Sequence, residues 1–381
     1  MISENNKDRC CACGACAAIC PMNAIKLSPD EYGNYYPVVD ENCIECGKCD
    51  EVCNYKRKHT YLTPLDIYAA RLKDQCLIRN SASGGAFVGI AMGFLDKYKD
   101  SVVYGCGYSD CMQPVHFGVE DKSQLKLFQG SKYTRSEIHV YEEISNYLKA
   151  GRKVLFTGTP CQCEAARLYN KNNENLYTIE LICHGIVDIE YWKDYVIYLQ
   201  KVKKGKLKSF TFRSKDKQLK FVCKYKVETH NLLKKVKQKD FYETEATSYY
   251  YNHFLGGYIF RENCYDCPFA REERCADITI GDYWGYKGDI PQASEGISAI
   301  IVNSQKGKEL FNASIKNFIY ERTSFEDVSR CNEQLLKPFD VAKKNYKMLE
   351  EWKANGAGYL SKQHHRRHWK AYIASKIGVI R

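Results

Sequence analysis

Apolar residues recur in two alternating rhythms after residue 66, and together they predict an α/β core. Short apolar runs at 101–105, 153–157 and 177–182 read as strands, while apolar positions three and four apart at 140–150 and 162–169 read as helices between them. An apolar helix begins near Ala86, and residues 277–282 and 298–303 add strands before the helices of the C-terminal part. Between 207 and 228 the period falls to two. Phe210 and Phe212 alternate with Thr211 and Arg213, and Leu219, Phe221, Cys223, Tyr225 and Val227 alternate mostly with lysine, which predicts a hairpin with one apolar and one basic face. Residues 32–39 read as a short strand and turn, and 56–63 as a linker. The predicted division is 1–58, 65–340 and 341–381.

Cysteine changes the picture of the first segment. Cys10, Cys13, Cys16 and Cys20 stand in the spacing C-x-x-C-x-x-C-x-x-x-C, and Cys43, Cys46, Cys49 and Cys53 repeat it. Four thiolates within eleven residues suit an iron-sulfur cluster better than tetrahedral zinc, which wants two pairs separated by a loop. The two copies resemble bacterial two-cluster ferredoxins, in which three cysteines of each run hold one 4Fe-4S cluster and the fourth crosses to the other. That resemblance implies Cys10, Cys13, Cys16 and Cys53 for the first cluster, and Cys43, Cys46, Cys49 and Cys20 for the second. Pro21 follows the first run as in that family, and Gly14 and Gly47 leave room beside the metal. Asn54 stands where the second proline is expected, and Cys11 lies outside the pattern as a bystander.

Length then demands something more. At 381 residues and 44% hydrophobic, the chain is long enough for two or three domains with a sizeable core. The start MISENNKDRC lacks an apolar signal region and the apolar stretch at 86–95 is too short to span a bilayer, so twenty cysteines point to a reducing cytoplasm rather than to disulfides.

Several short segments after residue 80 share one family pattern: SASGG at 81–85, QGSKY at 129–133, GTPCQ at 158–162, CHG at 183–185, and CYDCPFA at 264–270 leading into DITIGDYWG. In this order they resemble the beta subunits of the coenzyme F-420 hydrogenases and dehydrogenases. The resemblance implies a mixed α/β flavin-binding domain that passes electrons between an iron-sulfur cluster, FAD and a soluble donor or acceptor. Cys161, Cys183, Cys264 and Cys267 coincide with the motifs and follow predicted strands or a C-x-x-C turn, so they are assigned a third 4Fe-4S cluster, with Cys163 and Cys275 as reserves. A small zinc site is the alternative for Cys264 and Cys267. Cys76, Cys106, Cys111, Cys223 and Cys331 read as buried small hydrophobes.

For FAD, Ser83, Gly84 and Gly85 precede a helix whose free amides suit phosphate oxygens. Lys132 adds a mobile positive charge, Tyr133 a ring to stack or hydrogen-bond, and Gly158 with Thr159 brings the cofactor near Cys161. His184 and Asp282 are the candidate proton donors; His184 alternatively tunes a cluster by hydrogen-bonding sulfur, and Asp282 alternatively caps backbone amides.

Charge is unevenly spread. Of the net +11, residues 201–240 contribute +12 and residues 362–381 contribute +6, leaving −7 elsewhere. The basic hairpin either attracts an acidic redox partner such as ferredoxin or is simply solvated. In the tail, Trp369, Tyr372, Ile373, Ile377 and Ile380 share a helix face that docks on the protein itself or on an anionic membrane surface. No helix-turn-helix or base-stacking strand motif supports a nucleic-acid partner. The expected fold is thus a small ferredoxin-like domain, then a larger mixed α/β domain with a basic hairpin and a helical C-terminus. The expected function is an iron-sulfur flavoprotein oxidoreductase acting on a small molecule, with a non-catalytic electron-transfer subunit as the alternative.

Overall fold

A computed structural model describes residues 2, 8–56, 59–216, 221–230 and 236–376. Strands β1 (Ile25–Pro29) and β2 (Tyr35–Val39) form an antiparallel ribbon in the N-terminal domain. Two one-turn helices, Ala15–Ala18 and Lys48–Glu51, each start from a left-handed glycine, Gly14 at φ +81° and Gly47 at φ +74°. A side chain is strained at such φ values, so these glycines are needed to turn the chain between successive cysteines, beyond any room they leave beside a metal.

The body is built from β3 (Asp66–Leu72), β4 (Ser101–Tyr108), β5 (Pro114–Val119), β6 (Lys153–Gly158), β7 (Leu176–Leu181), β8 (Lys206–Thr211), β9 (Val222–His230), β10 (Val236–Thr244), β11 (Ile278–Asp282), β12 (Ser298–Val302) and β13 (Phe318–Arg322). Eight of them form a mixed sheet in the order β13-β3-β12-β11-β7-β6-β4-β5. Its centre, β4, β6, β7 and β11, is parallel; the flanks are antiparallel. Burial on both faces explains why these central strands read as continuous apolar runs rather than as alternation.

The carboxyl ends of the parallel strands carry the residues of interest. Gly158 ends β6, and the chain turns at once into the helix Pro160–Tyr169, with Pro160 at its first position and the Gln162 side chain accepting from the Thr159 amide at 2.9 Å. That cap places Cys161 in the first helical turn at the sheet's edge. Cys183 follows β7 and Asp282 ends β11, so one edge gathers all three. Ligand sites in open α/β sheets occupy this edge.

The expected hairpin is a three-stranded antiparallel sheet, β10-β9-β8. β10 escapes sequence reading because it is an edge strand with mostly exposed, polar residues. The alternation in the other two strands is as expected: Leu207, Phe210, Cys223, Tyr225 and Val227 are buried with Trp192 of helix Ile189–Lys203. Leu219 lies outside the described residues. At the C-terminus the helix Tyr346–Arg367 kinks at Gly356 (φ +71°) and the helix Trp369–Lys376 follows. Among the described residues no helix is long and apolar enough to cross a membrane.

Candidate functional site

None of the twenty cysteines is joined in a disulfide. Cys10, Cys13, Cys16 and Cys53 line one cavity of about 220 Å³, together with Cys11 and Asn54. This is the set the crossed ferredoxin pattern assigns to one cluster, drawn from both sequence copies. Burial pushes the Cys10 thiol up to about 11 and raises Cys16 and Cys53 as well. The cavity therefore disfavours bare thiolate charge and suits thiolates compensated by iron. Of the second set, Cys49 is buried, Cys20 and Cys43 are half-buried and Cys46 is exposed.

The four motif cysteines of the larger domain also come together. Cys161 lies within electrostatic reach of Cys183, Cys183 of Cys264 and Cys267, and these two of each other. Burial pushes Cys183, Cys264 and Cys267 each up to about 12. Among the described residues no three His, Cys, Asp or Glu side chains gather closely enough to hold a single metal ion. Thiolates around a multi-iron cluster stand farther apart than those around one zinc, because the cluster fills the space between them. The reserves are placed elsewhere: the Cys163 thiol donates to the Ile179 carbonyl, and that of Cys275 donates to the Glu180 carboxylate at 2.9 Å.

Cys11 is buried, and its thiol lies within electrostatic reach of those of Cys13 and Cys161, so it stands where the two domains' cysteine groups meet. Asn54 flanks it, with its amide nitrogen 3.6 Å from the Cys11 sulfur and 2.7 Å from the Cys161 carbonyl oxygen. Tyr55, within reach of Cys11, Cys161 and Cys267, receives a hydrogen bond from Asn263 at 3.0 Å. The sequence signals were the Cys10-Cys11 doublet and the missing proline. Neither has meaning until residues 11, 54 and 161 are brought together by the fold. Other cysteines expected to be buried split: Cys223 is buried and Cys106 half-buried, but Cys76, Cys111 and Cys331 are exposed.

The residues assigned to FAD are largely engaged by the protein. Gly84 is pressed between strands, so an added Cβ would lie 2.4 Å from the Ala70 carbonyl oxygen and 2.6 Å from the Ser298 amide. The Ser83 hydroxyl donates to Ile297 at 2.7 Å. Gly85 is left-handed (φ +85°) and caps helix Ala86–Lys97. Lys132 is not mobile: its ammonium donates to the Phe128 and Gln129 carbonyls, each at 3.0 Å, and burial pushes it down to about 8. The Tyr133 ring stacks on Phe254 at 4.2 Å between centroids, so one face is already covered. Thr159 Oγ1 lies 3.2 Å from Cys161 Sγ.

His184 contacts aromatic rings rather than sulfur, tilted or edge-on to Phe254, Phe260 and Phe339. Its Nε2 lies 3.3 Å from the Leu255 carbonyl and its Nδ1 3.1 Å from the Gln334 amide nitrogen, which assigns the proton to Nε2 and leaves neither nitrogen idle. Asp282 pairs with Arg213 at 2.9 Å rather than capping a turn. Sequence reading missed Lys215, whose ammonium reaches the Ser83 carbonyl at 2.6 Å and is pushed down to about 8 by burial. In the tail, Trp369 and Ile373 are exposed while Tyr372 stacks on His365 at 4.1 Å; Ile377 and Ile380 lie outside the described residues.

Comparison with known proteins matches residues 9–56 to the 4Fe-4S dicluster domain and residues 151–328 to the family described as the C terminus of the coenzyme F420 hydrogenase/dehydrogenase beta subunit. The F subunit of the F(420)H(2) dehydrogenase of Methanosarcina mazei is 27% identical over 190 residues, covering 46% of this chain and 53% of that one. An uncharacterised protein of Methanocaldococcus jannaschii is 25% identical over 186 residues, covering 42% and 52%. The chain thus spans about half the length of the curated relatives it matches. A chain of the F420-reducing [NiFe] hydrogenase complex from Methanosarcina barkeri matches with a TM-score of 0.41 and 15% identity, over 83% of this chain and 94% of that one. With cysteines grouped in both halves and both matches in register with them, residues 9–56 are a 4Fe-4S dicluster domain and residues 151–328 belong to the C-terminal family of the coenzyme F420 hydrogenase/dehydrogenase beta subunits.

Proposed function

We propose that this chain is an iron-sulfur electron-transfer subunit of an F420 hydrogenase/dehydrogenase-like complex in the cytoplasm. In this reading Cys10, Cys13, Cys16 and Cys53 hold one 4Fe-4S cluster, Cys20, Cys43, Cys46 and Cys49 a second, and Cys161, Cys183, Cys264 and Cys267 a third. The observation that carries it is the Asn54 amide, next in the chain to Cys53, donating to the Cys161 carbonyl at 2.7 Å, which puts the first and third groups next to each other. Bound clusters would supply one-electron redox chemistry, and the protein's share is to hold them close and dry. Cys46, exposed in the dicluster domain, marks the side on which a ferredoxin or other redox partner would exchange electrons.

The second reading adds FAD and a small-molecule substrate, with coenzyme F420, named in the relatives' descriptions, as the first to test. It is favoured by two partly buried lysines pushed down to about 8, Lys132 and Lys215, which offer an anionic cofactor positive charge around Ser83 and the QGSKY segment. Ser83 and Gly84 as packed here do not fit a pyrophosphate, so the lysines would carry that role. FAD would supply the conversion between one-electron and two-electron transfer.

Anaerobic purification with iron, sulfide and flavin quantified tests both. About twelve irons per chain supports three clusters, and about eight leaves the dicluster domain alone. One FAD per chain, with F420 reduced or oxidised in the absence of a second protein, supports the catalytic reading over the electron-transfer one.

A further inference from the structure

We infer that Asn54 is a positioning residue for electron passage between the dicluster domain and the third cysteine group, an inference that rests on the three-cluster reading above. Asn54 occupies the place where the ferredoxin pattern has a proline, and it is 1% exposed. A buried primary amide costs about 1–3 kcal/mol if its hydrogen bonds go unmade, so a polar residue here needs partners that a proline does not. Those partners all belong to the junction. The Asn54 nitrogen donates to the Cys161 carbonyl at 2.7 Å and approaches Cys11 sulfur at 3.6 Å, while its oxygen lies 3.8 Å from the same thiol.

The chain neighbour of Asn54 is Cys53, assigned to the first cluster, and the carbonyl it holds belongs to Cys161, assigned to the third. Asn54 is therefore a bridge of one residue between ligands of two clusters. Its second contact, Cys11, is the chain neighbour of Cys10, also assigned to the first cluster. Electron transfer through protein weakens steeply with separation and with any break in bonded or hydrogen-bonded contact. A proline at 54 has neither the donor nor the reach to keep the Cys161 turn against the dicluster domain. An isolated ferredoxin has no such turn to hold, which gives the departure from its pattern a physical reason.

The step served is a one-electron transfer in which no bond is made or broken, with dithionite as the reductant. The test uses anaerobically purified full-length protein carrying Asn54→Pro, Asn54→Asp or Asn54→Gln, with iron quantified and rapid-mixing EPR as the readout. Asn54→Asp keeps the side-chain shape but loses the donor, which keeps the test alive if Asn54→Pro fails to fold. The expected result is unchanged iron and unchanged reduction of the N-terminal clusters. The third cluster is reduced about 10-fold more slowly, the scale of loss seen when an outer partner of a metal site is removed. Spin-spin broadening between the first and third clusters is weakened, and Asn54→Gln, which retains a donor, restores much of both. Wild-type iron content of about twelve with an unaltered rate and broadening in Asn54→Asp overturns the inference alone. Only about eight irons in the wild type overturns the three-cluster reading, and the inference with it.

Discussion

Arg261 and Asp188 form a buried ion pair that fastens the dicluster domain to the body of the chain. Arg261 is fully buried, and its second terminal nitrogen donates at 2.9 Å to the carbonyls of both Cys10 and Tyr35. Asp188 also accepts from the Tyr35 amide at 2.9 Å and from Arg135 at 2.8 Å. Burial by itself would raise the Asp188 carboxyl, but Arg261 and then Arg135 outweigh it and hold it below the ordinary aspartate range. A depressed folded-state pKa contributes stability that is present above the unfolded value and is lost as pH falls through the folded one. Asp188→Asn strands two buried guanidiniums and is expected to cost about 3–5 kcal/mol at pH 7. Denaturant unfolding of wild type and variant from pH 7 to pH 3 checks it: the gap should narrow on acidification.

Lys132 gives a slope of the same sign in an alkaline window. An ordinary lysine titrates near 10.5, and burial brings this one to about 8. Between those values the unfolded chain keeps a proton that the folded chain has released, so this group's contribution to stability rises from pH 8 towards 10.5 and is flat below. Lys132→Met should abolish that increment, about 3 kcal/mol at full extent. Unfolding curves for both proteins at pH 7.5 and 10 measure the difference; parallel curves would show that the ammonium is solvated.

The crossed ligand pattern separates two serine variants. Cys20 sits in the first sequence copy with Cys16, yet it is assigned to the other cluster. Cys20→Ser should alter the same EPR signal as Cys43→Ser and Cys49→Ser, whereas Cys16→Ser should alter the signal affected by Cys53→Ser. Matching effects of Cys16→Ser and Cys20→Ser would show that each copy holds its own cluster.

Gly84 tests packing against ligand binding. An added Cβ meets backbone atoms of two strands, which have no freedom to yield. Gly84→Ala should destabilise by about 3 kcal/mol, the upper end for overpacking, and should do so whether or not flavin is present. Thermal unfolding with and without added FAD reads this. A variant with wild-type stability that fails only to retain flavin would reassign the glycine to the cofactor.

In the tail, the Tyr372 ring on His365 indicates docking on the chain's own helix. Full-length protein is therefore expected to stay in the aqueous fraction when floated with anionic liposomes. Flotation that disappears in a Trp369→Ala, Ile373→Ala double variant would instead assign those exposed side chains to the membrane.

The spacing of the cysteines, the runs of apolar strand residues and the glycines at 14 and 47 are local properties, and the chain alone determined them. Ligand spacing is imposed by cluster geometry, strand burial by period, and left-handed turns by the absence of a side chain. Long-range neighbours have no such local trace. That Cys11 meets Asn54, that Asn54 reaches a carbonyl 107 residues away, and that β10 completes a sheet are outcomes of packing. The fold also decided which polar residues are spent on the protein itself: His184, Lys132 and Ser83 have the chemistry of a site, and the tertiary structure gives their donors to backbone carbonyls. A side chain's chemistry is written in the sequence, whereas its partner is set by whatever the chain brings within hydrogen-bonding distance.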